Sequence, residues 1–253
     1  MRKFVYGMEI AEVDSEFHLN AFMINIPKLF ALASMLLVSL SQAAYVTIDE
    51  AGMDAVFSQA SFGRNTVDIR IGATTELVRP DLLNINTDAQ IDILFGLHVG
   101  PAKAVNFYFI DTIQDSCGVV GAGVIGCGEL PGNSFLVESA FADDSSIPGG
   151  GNISVGVQLL SHELGHNLGL SHRSGPDLMN PFINGFGDLD AAEVASILAS
   201  ALVQTDPLNG QRFILIDPVL IVATGTPPPG VPEPASVLLV MFGLLALGAK
   251  RRK

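Results

Sequence analysis

Residues 153–172 read ISVGVQLLSHELGHNLGLSH, and this stretch decides the reading of the chain. Ile153–Leu168 has the apolar spacing of a helix and follows a loop, DDSSIPGGGN at 143–152. His162 and His166 are four residues apart, so on a helix they differ by about 40° and share a face. Two imidazoles placed so can hold one Zn²⁺ at about 2.0–2.1 Å each. Glu163 stands between them and flanks the metal without needing to ligate it, where a carboxylate can take a proton from water. Gly169 follows His166 by three residues. With no side chain it can adopt positive φ, end the helix and turn the chain so that His172 returns as a third ligand. Three ligands leave a fourth coordination place open, which separates a catalytic zinc from a closed structural one. Three His, one Glu and one Gly at these offsets should occur by chance in on the order of one chain in 10⁵ of this length. Of the two remaining histidines, His18 lies in the leader and His98 reads as an isolated loop residue.

Working outward, Ile48–Phe62 reads as an amphipathic helix with Met53, Val56, Phe57 and Ala60 apolar, and Val67–Ile71 alternates like a half-buried strand. Thr87–Leu97 reads as a helix with Thr87 as N-cap. Val105–Ile110, VNFYFI, is a dense apolar run that suits a central strand, and Phe135–Glu138 is a further strand. Leu189–Val203 reads as a last helix, whereas Phe213–Val222 finds no place in this scheme. The order predicts an α/β or α+β domain with a mixed, twisted sheet. Cys117 and Cys127 flank a glycine-rich stretch, CGVVGAGVIGC, and outside the cytoplasm they can form a disulfide. Free thiols are the alternative, and a phosphate loop is excluded because no Gly-Lys-Ser/Thr follows.

The ends carry different information. Lys28, the apolar run Leu29–Leu40 and Ser41-Gln42-Ala43 form a basic region, an apolar region and a small-residue cleavage site. Residues 1–43 are thus read as leader and signal peptide, cleaved after Ala43 or Ala44 and addressed to the export machinery. Two starts are open, Met1 and Met23; from Met23, residues 1–22 are not translated. At the other end a proline-rich linker precedes Pro232-Glu233-Pro234, an apolar run Ala235–Ala249 and Lys250-Arg251-Arg252-Lys253. The run is too short for a comfortable free-standing span, and its basic end favours the cytoplasmic side during transient membrane insertion. Residues 227–253 are read as a sorting tail and 44–226 as one domain. That middle region holds six Lys and Arg against twenty-one Asp and Glu, a net charge of −15. Such a surface has no electrostatic footprint for nucleic acid.

Two family resemblances follow from these residues. The tail resembles the PEP-CTERM sorting signal of Gram-negative bacteria. That resemblance implies an exosortase-like processing enzyme as partner and a destination at the cell surface or extracellular matrix. HELGHNLGLSH resembles the metzincin zinc endopeptidases, HExxHxxGxxH. Gly175–Pro181, GPDLMNP, supplies a candidate for their Met-turn, with Met179 seven residues after His172. The wording is similar to matrixins at the Met-turn and to both matrixins and reprolysins at the zinc motif. The resemblance implies a twisted sheet with the active-site helix above a small irregular lower subdomain with a C-terminal helix. It further implies one Zn²⁺ held by His162, His166 and His172, Glu163 as general base, and a peptide or protein substrate. Arg173 departs from the family, where reprolysins have Asp and many matrixins Ser. No cysteine-switch propeptide is expected, because the middle region has no Cys besides 117 and 127. Calcium would have to come from Asp143-Asp144 or Asp188–Asp190; neither matches an EF-hand loop, and none is assigned. The competing reading is a non-catalytic surface or matrix-binding protein that keeps the zinc as a structural staple.

Overall fold

The structure is a computed structural model that describes residues 46–118 and 123–224. The leader and signal peptide at 1–43, and the tail with Pro232, Glu233 and Pro234, lie outside the described residues. Along the chain the elements are α1 (Glu50–Phe57), β1 (Val67–Ile71), β2 (Thr75–Val78), β3 (Asn84–Ile85) and α2 (Asp88–Phe95). Then come β4 (Val105–Ile110), β5 (Thr112–Ile113), β6 (Gly126–Gly128), β7 (Ser134–Glu138), α3 (Ser139–Ala142) and α4 (Val155–Asn167). The last are α5 (Ala191–Ala199), β8 (Gln204–Thr205) and β9 (Arg212–Val222). The class is mixed α/β, with one seven-stranded mixed sheet and a separate two-stranded pair, β3 with β5.

The stretch without a place in the sequence reading, Phe213–Val222, is the spine of the sheet. The order is β1-β9-β4-β7-β6, with β2 and β8 also paired to β9. β9 runs parallel to β1 over Arg212–Ile216, to β2 over Val219–Val222 and to β4 over Ile216–Leu220. Its even-numbered Ile214, Ile216, Leu220 and Val222 join the core under α1, α4 and α5, and its Val219 and Ile221 join the core under α2. This period of two is what a strand buried on both faces requires. Pro218 would normally argue against a central strand, because it donates nothing to a ladder. Here it falls where β1 has ended at the partner of Ile216 and β2 has not begun until Val219. The chain therefore does not finish on α5: it returns through β8 and inserts its last strand between segments made much earlier.

The remaining elements that the sequence predicts differ from it only at their ends, whereas β2, β3, β5, β6, β8 and α3 have no counterpart in it. The expected helix over 48–62 stops at Phe57, capped at its start by Asp49, and resumes as one 3₁₀ turn over Ala60–Phe62. Gln59 is the cause. Its side-chain amide donates to the carbonyls of Val56 and Gly187 and accepts from the Leu189 N–H, so its backbone is held extended. Thr87 caps α2 as expected, at 3.4 Å from the Gln90 nitrogen. α4 begins on Ser154 and is buried along its whole length. It lies between the sheet face bearing Phe107 and Phe135 and the later segment bearing Leu170, Leu178, Met179 and Leu189. Among the described residues no helix is long and apolar enough to cross a membrane.

If β9 is the spine, truncating its buried side chains should be costly. Ile216→Ala should lower the unfolding free energy by about 2–5 kcal/mol. Leu208→Ala, on the exposed turn before the strand, should stay within about 0.5 kcal/mol of the parent in urea denaturation.

Candidate metal centre

The geometry of the site begins where α4 ends. Leu168 is the last residue in helical conformation, and Gly169 takes φ +96°. The Gly169 N–H donates to the His166 carbonyl, and the Leu170 N–H donates to the Gly165 carbonyl, both at 2.9 Å. Those paired bonds are a Schellman cap, and glycine at this position avoids the Cβ clash of left-handed backbone. The cap reverses the chain, so that the Leu170 carbonyl reaches the His166 Nδ1 at 2.8 Å. Two residues later His172 arrives opposite the helix.

There the three imidazoles meet. His172 Nε2 lies 3.2 Å from His162 Nε2 and 3.1 Å from His166 Nε2. Among the described residues they form the one His/Cys/Asp/Glu group with metal-ligand placement. The carbonyls of Leu178 and Leu170 each lie 2.8 Å from a buried Nδ1, of His162 and His166 respectively. A carbonyl only accepts, so both rings carry their proton on Nδ1 and turn an Nε2 lone pair inward. Three nitrogens then converge with at most one proton, from His172, to share among them. A cation resolves that arrangement. Nitrogens about 2.0–2.1 Å from a tetrahedral zinc stand about 3.3–3.4 Å apart, close to the spacing seen here. The residues fit zinc by chemistry and by spacing, and the carbonyl partners are the outer support that ligand histidines normally have.

Electrostatics favour the neutral rings. Burial, with the neighbouring His166 and His172, holds His162 well below the ordinary histidine range against the opposing pull of the Leu178 carbonyl. Burial lowers His166 to about 4, again opposed by a carbonyl, and burial also lowers His172. Burial thus favours the neutral, metal-binding form of all three rings.

The segment after His172 is fastened from two sides. Its Arg173 N–H donates to the Met179 carbonyl at 2.9 Å. The Arg173 guanidinium pairs with Asp190 at 2.5 Å and with the buried Glu193 at 3.1 Å. Asp190 and Glu193 are the reciprocal capping box of α5. Arg173 thus ties the segment that carries His172 to the start of α5. Met179 is fully buried, and a Cβ on Gly165 would come within 2.6 Å of its sulfur, so glycine there lets the turn pack beneath the ligand helix. Gln158, one turn before His162, bonds Asn184 and the Gly185 N–H, which fixes the chain beyond Met179 to α4.

Glu163 is fully buried on the side of α4 that meets the sheet edge. A Cβ on Gly126 would stand 2.5 Å from its Oε1, and one on Gly128 would stand 3.2 Å from its Oε2. β6 therefore closes over this carboxylate, most tightly at Gly126, where a side chain would collide with Glu163 and Leu159. Cys127 lies between them and forms the disulfide with Cys117. His98 stands apart, its Nε2 3.2 Å from the Pro101 carbonyl. The structure brings His162, His166 and His172 together beside the helix that carries Glu163, with Gly169 at its end and Met179 against Gly165, whereas Cys117 and Cys127 lie in the core under α2. The carbonyls of Leu170 and Leu178, Gly126 and Gly128 are additions that sequence reading missed. Backbone carbonyls leave no mark in a sequence, but Gln158 at four residues before His162 carries the same-face spacing that could have flagged it.

Comparison with known proteins bears on the tail. Residues 230–253 match the PEP-CTERM protein-sorting motif. That motif implies export, sorting to the envelope or surface of a Gram-negative bacterium, and processing by an exosortase-like enzyme. No curated protein and no solved structure matches the chain.

Two outcomes follow from the neutral, clamped rings. The unfolded chain binds protons at these histidines more readily than the fold does, so metal-free protein should lose stability as pH falls from about 6.5 toward 4. His166 alone contributes roughly 3 kcal/mol over that window; urea denaturation at pH 7.5 and pH 4.5 measures it, and equal stability would contradict it. Arg173→Ala should weaken zinc affinity about 10-fold or more by loosening His172, as read by chelator competition.

Proposed function

We propose that residues 44–226 form a zinc-dependent endopeptidase of metzincin type. It would be exported and delivered to the cell surface or extracellular matrix once the sorting tail is removed. The observation that carries this reading is the convergence of three imidazole Nε2 atoms, two of them aimed by backbone carbonyls, on the helix that also bears Glu163. A purely structural site would normally be closed by a fourth protein ligand. Among the described residues no Cys, Asp or Glu completes the group.

His162, His166 and His172 would hold the zinc, which when bound would supply Lewis acidity, lowering the pKa of water toward about 7 and polarising a peptide carbonyl. Glu163 accepts a proton on a carboxylate oxygen as water attacks that carbonyl, and returns it to the departing amine. Its burial under β6 keeps bulk water from competing for the proton. Among the described residues β6 ends the sheet and pairs with β7 on one side only. Its outer edge can align an extended peptide through backbone hydrogen bonds beside Glu163. His162 and His166 keep their Nδ1 protons on Leu178 and Leu170 throughout, so the ligand nitrogens hold their direction while charge develops. The strongly acidic surface would disfavour anionic partners.

Glu163→Ala should retain stoichiometric zinc and lose about 10²–10⁴-fold in peptide hydrolysis. Incubating the processed protein with a mixed peptide library, with and without chelator, measures this. Chelator-insensitive cleavage, or full turnover by the variant, would overturn the proposal; bound zinc with no cleavage of any peptide would favour the structural-staple reading.

A further inference from the structure

We infer that the Cys117–Cys127 disulfide is a redox latch that sets β6 over Glu163, so that the site is complete only after the chain has left a reducing compartment. This rests on the proposed peptidase role of Glu163 and adds its regulation. Among the described residues β6 is three residues long, stands at the end of the sheet and pairs as Gly126↔Val137, Cys127↔Leu136 and Gly128↔Phe135, with one backbone bond beyond each end, Glu138 N–H to the Ile125 carbonyl and Glu129 N–H to the Ser134 carbonyl. A ladder this short at an edge is weak by itself. Its two faces do different things. Gly126 and Gly128 look toward α4 and close on the two carboxylate oxygens of Glu163. The middle residue, Cys127, looks the other way and is fully buried in the core under α2. There it is bonded to Cys117, which is buried too and whose N–H donates to Asp88, in the first turn of α2, at 3.0 Å. The covalent bond thus pins the centre of the strand to the body of the domain, and its two neighbours make the roof of the carboxylate. No zinc ligand is involved in the bond, so the latch acts on the base and not on metal retention.

The chemistry balances with an ordinary partner. The two thiols lose two protons and two electrons and form one S–S bond; a disulfide-bearing oxidant outside the cytoplasm takes both electrons and becomes a dithiol. In the reduced precursor β6 loses its covalent tie and keeps only its non-covalent bonds to β7 and its packing on α4, so the cover over Glu163 loosens. The predicted consequence is a fold that keeps its zinc but turns over slowly.

The test compares oxidised and phosphine-reduced forms of the processed, zinc-loaded protein. Reduction should lower kcat at least 10-fold with KM changed less than threefold. Zinc content and far-ultraviolet circular dichroism should stay unchanged, and reoxidation should restore the rate. Amide exchange at Gly126–Gly128 should rise at least 10-fold, while exchange within α4 stays constant. Cys117→Ala/Cys127→Ala should show the reduced rate and no response to the phosphine. If that variant does not fold, the reduced parent decides alone. Reduced protein with full kcat, loss of zinc, or unfolding on reduction would each overturn the latch. If the oxidised protein cleaves no peptide, the peptidase reading fails instead. The latch then stands or falls on exchange at β6.

Discussion

The hydrogen bonds from His162 Nδ1 to the Leu178 carbonyl and from His166 Nδ1 to the Leu170 carbonyl are the constraint on which the site depends. They choose the tautomer, and the tautomer decides that each Nε2 is a lone pair and not a donor. They also join three pieces of chain at the site, beside the Gly169 cap, the Gln158 bonds and the shared apolar core. Leu170 is brought back by the Gly169 cap, Leu178 belongs to the turn that carries Met179, and both rings rise from α4. A helix bearing the same two histidines, without that returning chain, would leave the rings free to rotate and protonate. Burial then acts in the same direction, since it penalises the imidazolium form and leaves the neutral ligand.

The sheet serves this arrangement by holding α4 in one place. α4 is buried on all sides, an unusual state for a helix that carries two histidines and a glutamate. Four of its polar side chains are bonded to the surrounding chain. Asn167 donates to the carbonyls of Glu129 and Ser134 and so closes the end of α4 onto the β6–β7 connection. Gln158 holds the chain around Asn184, and the two histidines hold Leu170 and Leu178. Buried polar groups arranged in this way specify one docking position for the helix, where an apolar helix could slide. β9 completes the platform late in the chain, so the surface on which α4 rests exists only when the last strand of the domain is available.

What was legible in the sequence was what short spacing encodes. The helix with His162 and His166, the glycine turn, the return of His172 and the buried strand at Val105–Ile110 all follow from offsets of two, three or four residues. The α/β class with a mixed sheet followed from the alternation of such segments. What was not legible depends on partners far along the chain. Phe213–Val222 has an Asp-Pro pair at its centre, which speaks against an inner strand until the break between β1 and β2 is seen beside it. Gln59 ends α1 early through bonds to residues near 187, which no local periodicity contains. Gly126 and Gly128 look like loop glycines until the carboxylate of Glu163 is found against them. The pairing of Arg173 with Asp190 and Glu193 spans irregular chain, so no local spacing hints at its role.

The central claim is that His162, His166 and His172 share one divalent ion through their Nε2 atoms. X-ray absorption at the zinc edge on the zinc-reconstituted, processed protein tests it most directly. The account predicts one zinc per chain with three imidazole nitrogens at about 2.0–2.1 Å and one further light-atom neighbour. A sulfur shell, an all-oxygen shell, or no stoichiometric binding after reconstitution would contradict it.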